Sequence, residues 1–291
     1  MRSRGMLRTA ALVASLALVL TACGDDGDKV ETKDEPKKRE FAAGSTMERL
    51  QTAGKVKVGT KFDQPLFGVK GVSGSVEGFD VEIAKGIAAE LGIEESGVEF
   101  VESISKNRED FIVNGTADFI VATYTINDKR KEKVGFAGPY FVAGQDIMVK
   151  KGDTAIKSKD DLAGKKVCSV TGSTPATRVK EQVPTAQLTL FGTYTECAEA
   201  MRNGQVQATT TDNVILLGLI DANPGEFELV GAPFSEEPYG IGVKKEDTDF
   251  RTFINDVLEE MYKDGRYKDA YDKTLGKVQP DLPTPPAVNR Y

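Results

Sequence analysis

Histidine is absent from the 291-residue sequence. Histidine is the commonest general base of enzymes that work near neutral pH, so its absence removes that role from any chemistry proposed for the chain. Cysteine is also rare, with three in all, and no group of cysteine or acidic residues has the spacing of a metal site. We therefore expect no catalytic residue, no bound metal and no cofactor.

Long apolar runs are equally scarce. The run Ala10–Leu20 is too short to cross a bilayer, and it follows Arg2, Arg4 and Arg8. A basic start, a short apolar segment and small residues at its end are typical of an export signal that is later removed. We predict a signal peptide over residues 1–22.

The end of this segment, Leu20-Thr21-Ala22-Cys23, resembles the lipobox of bacterial lipoproteins, whose cysteine is lipidated and becomes the first residue. The resemblance implies that Cys23 anchors the protein by lipid at the extracellular face of the cell membrane. The alternative is an ordinary secretory signal with an incidental cysteine.

Two segments have the composition of chain that does not fold on its own. Asp25–Glu40 carries many charges and almost nothing apolar, so it cannot bury enough surface to offset the entropy lost on ordering. We predict a disordered tether over residues 23–44. Residues 277–291 hold four of the twelve prolines, and we predict an extended, loosely packed tail there.

Basic residues are outnumbered by acidic ones. Removal of residues 1–22 takes away three arginines and no acidic residue, which leaves 35 basic against 45 acidic residues. The resulting net charge of −10 disfavours binding to nucleic acid or to anionic lipid through the overall field. We expect a charged ligand to be held by local basic groups.

Two cysteines remain if Cys23 carries lipid. Cys168 and Cys197 would then share an oxidising extracellular compartment, where thiols form disulfides. We expect them to bridge, which would stabilise the fold by roughly 3 to 4 kcal/mol in the chain-entropy model. The alternative is two buried free thiols.

Throughout the rest of the chain, short apolar strands alternate with amphipathic helices, which predicts an α/β fold. The pattern falls into two units, residues 45–144 together with 240–276, and residues 145–239. The chain crosses between these units near Val142–Asp146 and again near Glu237–Gly240. Two crossings make a hinge with a cleft between two lobes.

The stretch Ala122–Phe141 carries the most specific polar pattern. It leaves a predicted strand, turns at Asn127 and places Arg130 five residues after Thr125. A hydroxyl, exposed main-chain amides and a guanidinium can therefore converge, and convergent donors suit a carboxylate. The alternative is that Arg130 belongs to the solvated run Lys129-Arg130-Lys131.

Arg108 lies in the first turn of a predicted helix that starts near Ser105. The helix dipole favours anions at that end, so an arginine there does not suit the helix. This misfit favours a role for Arg108 outside the helix. The alternative is a solvated arginine with no partner.

Two motifs carry a family resemblance. One is Gly78-Phe79-Asp80-Val81-Glu82-Ile83, and the other runs from Thr125 through Arg130 to Phe136 and Pro139-Tyr140. Both resemble the family-3 extracellular solute-binding proteins, the polar amino-acid receptors of ABC importers. The resemblance implies a two-lobed, type II periplasmic-binding-protein-like fold, in which a hinge of two strands joins two α/β sandwiches.

Within that family, the chain most resembles the actinobacterial glutamate-binding lipoproteins. The similar segments are Lys61-Phe62-Asp63-Gln64-Pro65, Ala122-Thr123-Tyr124 and Val170–Pro175. Those lipoproteins have a cysteine pair where Cys168 and Cys197 stand.

The family pattern implies a role for each matching residue. Arg130 would hold the α-carboxylate of an amino acid with help from Thr125 and Thr123, whereas Asp212 would meet its α-ammonium group. A bidentate arginine and an opposite carboxylate together recognise a zwitterion.

Further residues would hold the rest of the ligand. Arg108 stands where acidic-amino-acid receptors of the family place an arginine for the side-chain carboxylate, and Lys61 would add to it. Ser173 and Thr174, at a helix N-terminus, would offer amides and hydroxyls to a carboxylate. Because a second buried carboxylate needs its own cation, the preference for glutamate or aspartate over glutamine rests on Arg108.

The function implied is that of a monomeric receptor that closes around an acidic amino acid and delivers it to a membrane permease. No chemistry on the ligand is required. Two alternatives stay open. One is a secreted dehydratase-like enzyme acting on an amino-acid-like substrate, and the other is a sensory binding module.

Overall fold

The computed structural model describes residues 39–291, and the elements counted below lie in that range. The predicted signal peptide, the lipidated Cys23 and most of the tether lie outside it. The nine α-helices are α1 (Thr46–Ala53), α2 (Phe79–Glu90), α3 (Arg108–Val113), α4 (Asp128–Lys131), α5 (Thr174–Gln182), α6 (Tyr194–Arg202), α7 (Asn213–Ala222), α8 (Thr248–Asp264) and α9 (Arg266–Lys273). The thirteen strands are β1 (Val56–Thr60), β2 (Asp63–Gln64), β3 (Gly68–Lys70), β4 (Val76–Glu77), β5 (Val98–Glu102), β6 (Phe119–Ile120), β7 (Val134–Ala143), β8 (Gln145–Lys150), β9 (Lys166–Val170), β10 (Gln187–Phe191), β11 (Ala208–Asp212), β12 (Phe227–Leu229) and β13 (Glu237–Lys244).

The first lobe is built on a five-stranded sheet in the order β5-β1-β6-β13-β7. β5, β1 and β6 are parallel, with Val58 opposite Phe100 on one side and Phe119 on the other. β13 and β7 complete the sheet as antiparallel strands. Val58 joins a core that includes the apolar faces of α2, α8 and α9. A small sheet of β2, β3 and β4 belongs to the same part of the chain.

The second lobe has its own five-stranded sheet, in the order β10-β9-β11-β8-β12. Its first three strands are parallel, and β8 and β12 are antiparallel to their neighbours. Ile147 and Met148, adjacent in β8, belong to different apolar cores, as expected for a sheet covered on both faces. A disulfide joins Cys168 of β9 to Cys197 of α6, which confirms the expected bridge.

Two chain segments connect the lobes. β7 ends at Ala143, and β8 begins two residues later in the other sheet. β13 begins at Glu237, directly opposite Ala143, and belongs to the sheet of the first lobe. Both crossings lie at the predicted places, and the two-lobed α/β fold is confirmed.

The local sequence pattern does not indicate the strand β7, although it is ten residues long. Gly135, Gly138 and Pro139 interrupt its apolar alternation, and these residues weaken strand formation by an isolated segment. The strand forms because β13 supplies an antiparallel partner from about a hundred residues further along the chain.

Two predictions about the chain ends need correction. Residues 39–44 do not belong to a disordered tether, because Phe41 packs edge-on against Phe253 with ring centroids 5.4 Å apart and Arg39 pairs with Glu90. The tail is extended but not loosely packed, since Leu282 and Val288 contact the core of the first lobe. Both segments find apolar and ionic partners that exist only on the folded lobe.

No helix between residues 39 and 291 combines the length and apolar character needed to cross a bilayer.

Candidate ligand-binding site

A small, narrow cavity lies where the two lobes meet. Seven of the eight predicted ligand-binding residues line it, and Lys61 is the exception. The lining residues come from both lobes and are Gln64, Ser105, Arg108, Thr123, Thr125, Arg130, Ser173, Thr174, Pro175, Tyr194, Thr211, Asp212 and Ile215.

Arg130 is held on α4, a single helical turn that begins after Asn127. The side-chain oxygen of Asn127 accepts a hydrogen bond from the Arg130 amide at 2.9 Å. The guanidinium donates to the main-chain oxygens of Thr125 at 2.6 Å and Gly172 at 3.3 Å, and Glu109 lies 3.5 Å away. Burial, followed by the nearby charge of Arg108, lowers the pKa of Arg130 to about 10. Arg130 is therefore a buried cation, so the alternative of a solvated charge run is wrong for this residue.

Arg108 begins α3 and is also buried, with 3% of its surface exposed. Its guanidinium donates to the main-chain oxygen of Ala122 at 2.8 Å. Both arginines contact the ring of Tyr124, whose centroid is 4.5 Å from the Arg108 guanidinium carbon and 4.9 Å from that of Arg130. Within residues 39–291, Arg108 makes no ion pair, so its positive charge is available to a ligand in the cavity.

The wall between the arginines depends on Thr123. Its backbone adopts a positive φ of 45°, which is unusual for a threonine. The Asp80 carboxylate accepts hydrogen bonds from the Thr123 amide at 2.8 Å and from the Tyr140 hydroxyl at 2.5 Å. The Thr123 hydroxyl donates to the Gln64 side chain at 2.9 Å. These contacts fix the turn that leads from β6 to Thr125.

The second lobe contributes the N-terminus of α5. The Ser173 hydroxyl accepts a hydrogen bond from the Ala176 amide at 3.1 Å and caps the helix. The Thr174 hydroxyl lies 3.3 Å from that of Thr125 in the first lobe and donates to Glu237 at 2.9 Å. The helix start therefore meets the arginine-bearing side of the cavity, and its dipole favours an anion there.

Asp212 ends β11 and supplies the negative charge of the cavity wall. One carboxylate oxygen accepts a hydrogen bond from the Tyr239 hydroxyl at 2.6 Å. The other oxygen, Oδ1, has no hydrogen-bond partner in the part of the chain that the structure describes. Burial, reinforced by the nearby Glu237, raises the pKa of Asp212 to about 7. A cation placed beside this oxygen would favour the ionised form.

A family model also matches the chain. The model for bacterial extracellular solute-binding proteins, family 3, matches residues 56–277. This chain belongs to that family. The match confirms the resemblance carried by the two sequence motifs.

The family-3 assignment is supported by proteins similar over nearly the whole chain. The ABC transporter glutamine-binding protein GlnH of Bacillus subtilis is 42% identical over 268 residues, covering 91% of this chain and 95% of that protein. The glutamate-binding protein GluB of Corynebacterium efficiens is 40% identical over 282 residues, covering 93% and 91% respectively.

A solved structure shows the same fold. An ancestral arginine-binding protein bound to glutamine is 40% identical and superimposes with a TM-score of 0.72, covering 77% of this chain and 98% of that one. The predicted type II, two-lobed fold is confirmed.

Lys61 has a different place in this family-3 chain from the one predicted. Its ammonium is fully buried and lies 3.0 Å from an Asp63 carboxylate oxygen, and burial lowers its pKa. The second Asp63 oxygen accepts a hydrogen bond from the Tyr194 amide in the other lobe at 2.8 Å. Lys61 therefore supports a contact between the lobes from behind the cavity wall.

The lobes approach closely on both sides of the cavity. A side-chain carbon added at Gly172 would lie 2.7 Å from the Cα of Lys106, and one added at Gly218 would overlap the main-chain oxygen of Pro65. Each pair joins one residue of each lobe. The arrangement is closed, and the two glycines allow it to close.

Sequence reasoning missed the residues that support the site. Asp80 was quoted as part of a motif without a role, and its signal was an acidic side chain on the same helical face as buried Phe79 and Ile83. Tyr239 lies in the second predicted crossing, and nothing local indicated its bond to Asp212. No cluster of three metal-ligating side chains occurs between residues 39 and 291.

Proposed function

We propose that this chain is the lipid-anchored receptor of an ABC importer, and that it captures an acidic amino acid, glutamate or aspartate, at the extracellular face of the membrane. The observation that carries the proposal is the burial of two guanidiniums, those of Arg108 and Arg130, in one cavity that also contains Asp212.

Three charged groups match the three charges of an acidic amino acid. Arg130 and the start of α5 offer donors to the α-carboxylate, and Asp212 offers an unpartnered oxygen to the α-ammonium group. Arg108 then remains for a side-chain carboxylate. Burying that carboxylate without a cation would cost several kcal/mol, so a guanidinium that makes no ion pair within residues 39–291 favours an acidic ligand over its amide.

Closure follows from the division of these groups between the lobes. Arg108, Thr125 and Arg130 belong to the first lobe, whereas Thr174 and Asp212 belong to the second. A ligand held by the first lobe gains the remaining partners only when the lobes close. That difference in binding free energy drives closure and presents the closed form to a permease.

Of the two relatives, GlnH is named for glutamine and GluB for glutamate. The question to test is therefore whether this chain binds the acid more tightly than the amide. Calorimetric titration of the wild type and of Arg108→Ala with glutamate, aspartate and glutamine addresses it. We expect Arg108→Ala to weaken glutamate binding by at least about thirtyfold, because the ligand's carboxylate would be left buried and unpaired. Glutamine binding should change much less.

Arg202→Ala is the matched control, because Arg202 is a half-exposed arginine of the second lobe that pairs with Glu226 away from the cavity. Equal glutamate affinity for Arg108→Ala and Arg202→Ala would overturn the acidic assignment. Tighter wild-type binding of glutamine than of glutamate or aspartate would do the same, while leaving an amino-acid receptor. Mass spectrometry of the recovered ligand tests the dehydratase-like alternative, which requires a product.

A further inference from the structure

The tail of the chain lies outside the segment that the family model matches, which ends at residue 277. It follows the surface of the first lobe, where the Tyr271 hydroxyl donates to the main-chain oxygen of Gln279 at 2.9 Å. Leu282 and Val288 then pack against the core. The tail is therefore docked on the first lobe, and we call it the strap.

The strap reaches β7, which lies at the edge of its sheet and pairs, within residues 39–291, with β13 alone. The Asn289 amide donates to the main-chain oxygen of Gly138 at 2.8 Å. The Phe136 amide donates to the Tyr291 hydroxyl at 2.8 Å. These bonds satisfy main-chain groups that β13 does not pair.

The Tyr291 ring contacts two cations. The Lys131 ammonium is 4.2 Å from the ring centroid and the Arg251 guanidinium is 4.5 Å from it. Arg251 also donates to the Tyr291 main-chain oxygen at 2.7 Å, which ties the residue to α8. Lys131 is the last residue of α4, so Tyr291 connects that turn to the body of the lobe.

α4 needs such support. It is one turn long, and an isolated turn is not stable because nucleation costs more than one hydrogen bond returns. Arg130, inside this turn, is the residue that our proposed function assigns to the ligand's α-carboxylate. Tyr291 also reaches Arg130 through Phe136, because the Phe136 ring lies 4.7 Å from the ring of Tyr124, which contacts both Arg108 and Arg130.

We propose that Tyr291 is a positioning residue for ligand binding: by clamping Lys131 and the Phe136 amide, it holds the α4 turn and so sets the position of the Arg130 guanidinium. The inference rests on the proposed role of Arg130.

The test compares Tyr291→Ala, Tyr291→Phe and Arg290→Ala in the full chain, by calorimetry with glutamate and by amide hydrogen exchange without ligand. Arg290 is the matched control, because it pairs with Asp256 and Glu259 of α8 and, among the described residues, makes no hydrogen bond or ion pair with α4. We expect Tyr291→Ala to weaken glutamate binding about three- to tenfold, from the loss of two cation–π contacts and a hydrogen bond. Amides of residues 128–136 should exchange faster, those of α5 and α6 should not change, and Tyr291→Phe should give an intermediate effect.

Unchanged exchange over residues 128–136 in Tyr291→Ala would overturn the proposal. So would a glutamate dissociation constant within about twofold of the wild-type value, or equal effects from Arg290→Ala. If the wild type binds no amino acid, the proposed function fails separately, and the ligand-free exchange still decides whether Tyr291 holds the turn.

Discussion

At the scale of single residues, the cavity contains a carboxyl group whose pKa lies close to neutral pH. Asp212 accepts one hydrogen bond, from Tyr239, and its other oxygen is unpartnered within residues 39–291. Burial raises its pKa from 3.8 to about 7. Ionised Asp212 attracts a ligand's ammonium group, and protonated Asp212 does not.

Ligand affinity should therefore depend on pH. Because the pKa of Asp212 is raised, the carboxyl is mostly ionised at about pH 8 and mostly protonated at about pH 5.5. We expect glutamate binding to weaken as pH falls through 7, by up to about tenfold per unit, with release of up to one proton on binding below pH 7. Calorimetry in buffers of different ionisation enthalpy measures both quantities.

The substitution Asp212→Asn distinguishes the titration of Asp212 from that of a second buried carboxyl whose pKa is also raised. Burial also raises the pKa of Asp80 to about 7, and Asp80 supports Thr123 in the cavity wall. Asp212→Asn should bind glutamate weakly at about pH 8 and show little pH dependence. A wild-type affinity that stays constant from about pH 8 to about pH 5.5 would contradict the assignment, and a dependence that persists in Asp212→Asn would point to Asp80.

At the scale of the elements, the second lobe presents its helix starts to the first lobe. The disulfide between β9 and α6 fixes this surface, and closing its loop stabilises the fold by roughly 3 to 4 kcal/mol in the chain-entropy model. Gly218, within α7, faces the Pro65-Leu66 segment that follows β2. The packing of α7 on the first lobe thus depends on the absence of a side chain at Gly218.

Gly218→Ala should weaken ligand binding without destabilising the lobe. The added carbon overlaps the main-chain oxygen of Pro65 only when the lobes are closed, and relieving such a clash costs about 1 to 3 kcal/mol. Alanine also favours the helix by about 1 kcal/mol relative to glycine. We expect glutamate affinity to fall by about tenfold or more in calorimetry, and the thermal midpoint without ligand to stay the same or rise.

Gly192→Ala is the control for this substitution. A side-chain carbon at Gly192 would meet only the end of the Glu196 side chain, at 3.4 Å. Both variants should therefore fold, and only Gly218→Ala should lose affinity. Unchanged glutamate binding by Gly218→Ala would show that contact between α7 and Pro65 is not needed for the bound state.

At the scale of the whole molecule, charge and attachment act separately. Without residues 1–22, the predicted signal peptide, the chain would have a net charge of −10, yet the cavity lining includes two buried arginines. An acidic protein can bind an acidic ligand because, inside the cavity, the field of the two desolvated arginines exceeds the screened field of the protein's overall charge. The same net charge gives the protein no electrostatic attraction to an anionic membrane.

Membrane attachment should therefore depend on Cys23. We expect the full-length protein, expressed in a bacterium that processes lipoproteins, to partition into the detergent phase and to incorporate labelled fatty acid. Cys23→Ser should carry no label and should lose the lipid-dependent recovery in the detergent phase, because serine lacks the thiol to which the lipid would be attached. Detergent-phase recovery of Cys23→Ser equal to that of the wild type would contradict lipid anchoring through this residue.

Local pattern was sufficient for much of this molecule. The alternation of strands and helices predicted for the second lobe is present, for example in β9, α5 and β10, because apolar periodicity and capping act over a few neighbouring residues. The disulfide and the two crossings were predicted as well. Seven of the eight predicted ligand-binding residues converge on one cavity, since they stand near strand ends or helix starts, where α/β sheets open.

Contacts between distant segments decided the rest. Lys61 and Arg108 are both cations near strand ends, but Asp63 pairs with Lys61 behind the wall, whereas Arg108 keeps its charge for the cavity. Asp80 acquires its role from Thr123 and Tyr140, which lie far away in sequence. The strand β7 and the docked tail likewise exist because remote segments supply their hydrogen bonds. Neither the desolvation of a buried group nor a contact between residues distant in sequence can be predicted from neighbouring residues, because both depend on how the chain folds back on itself.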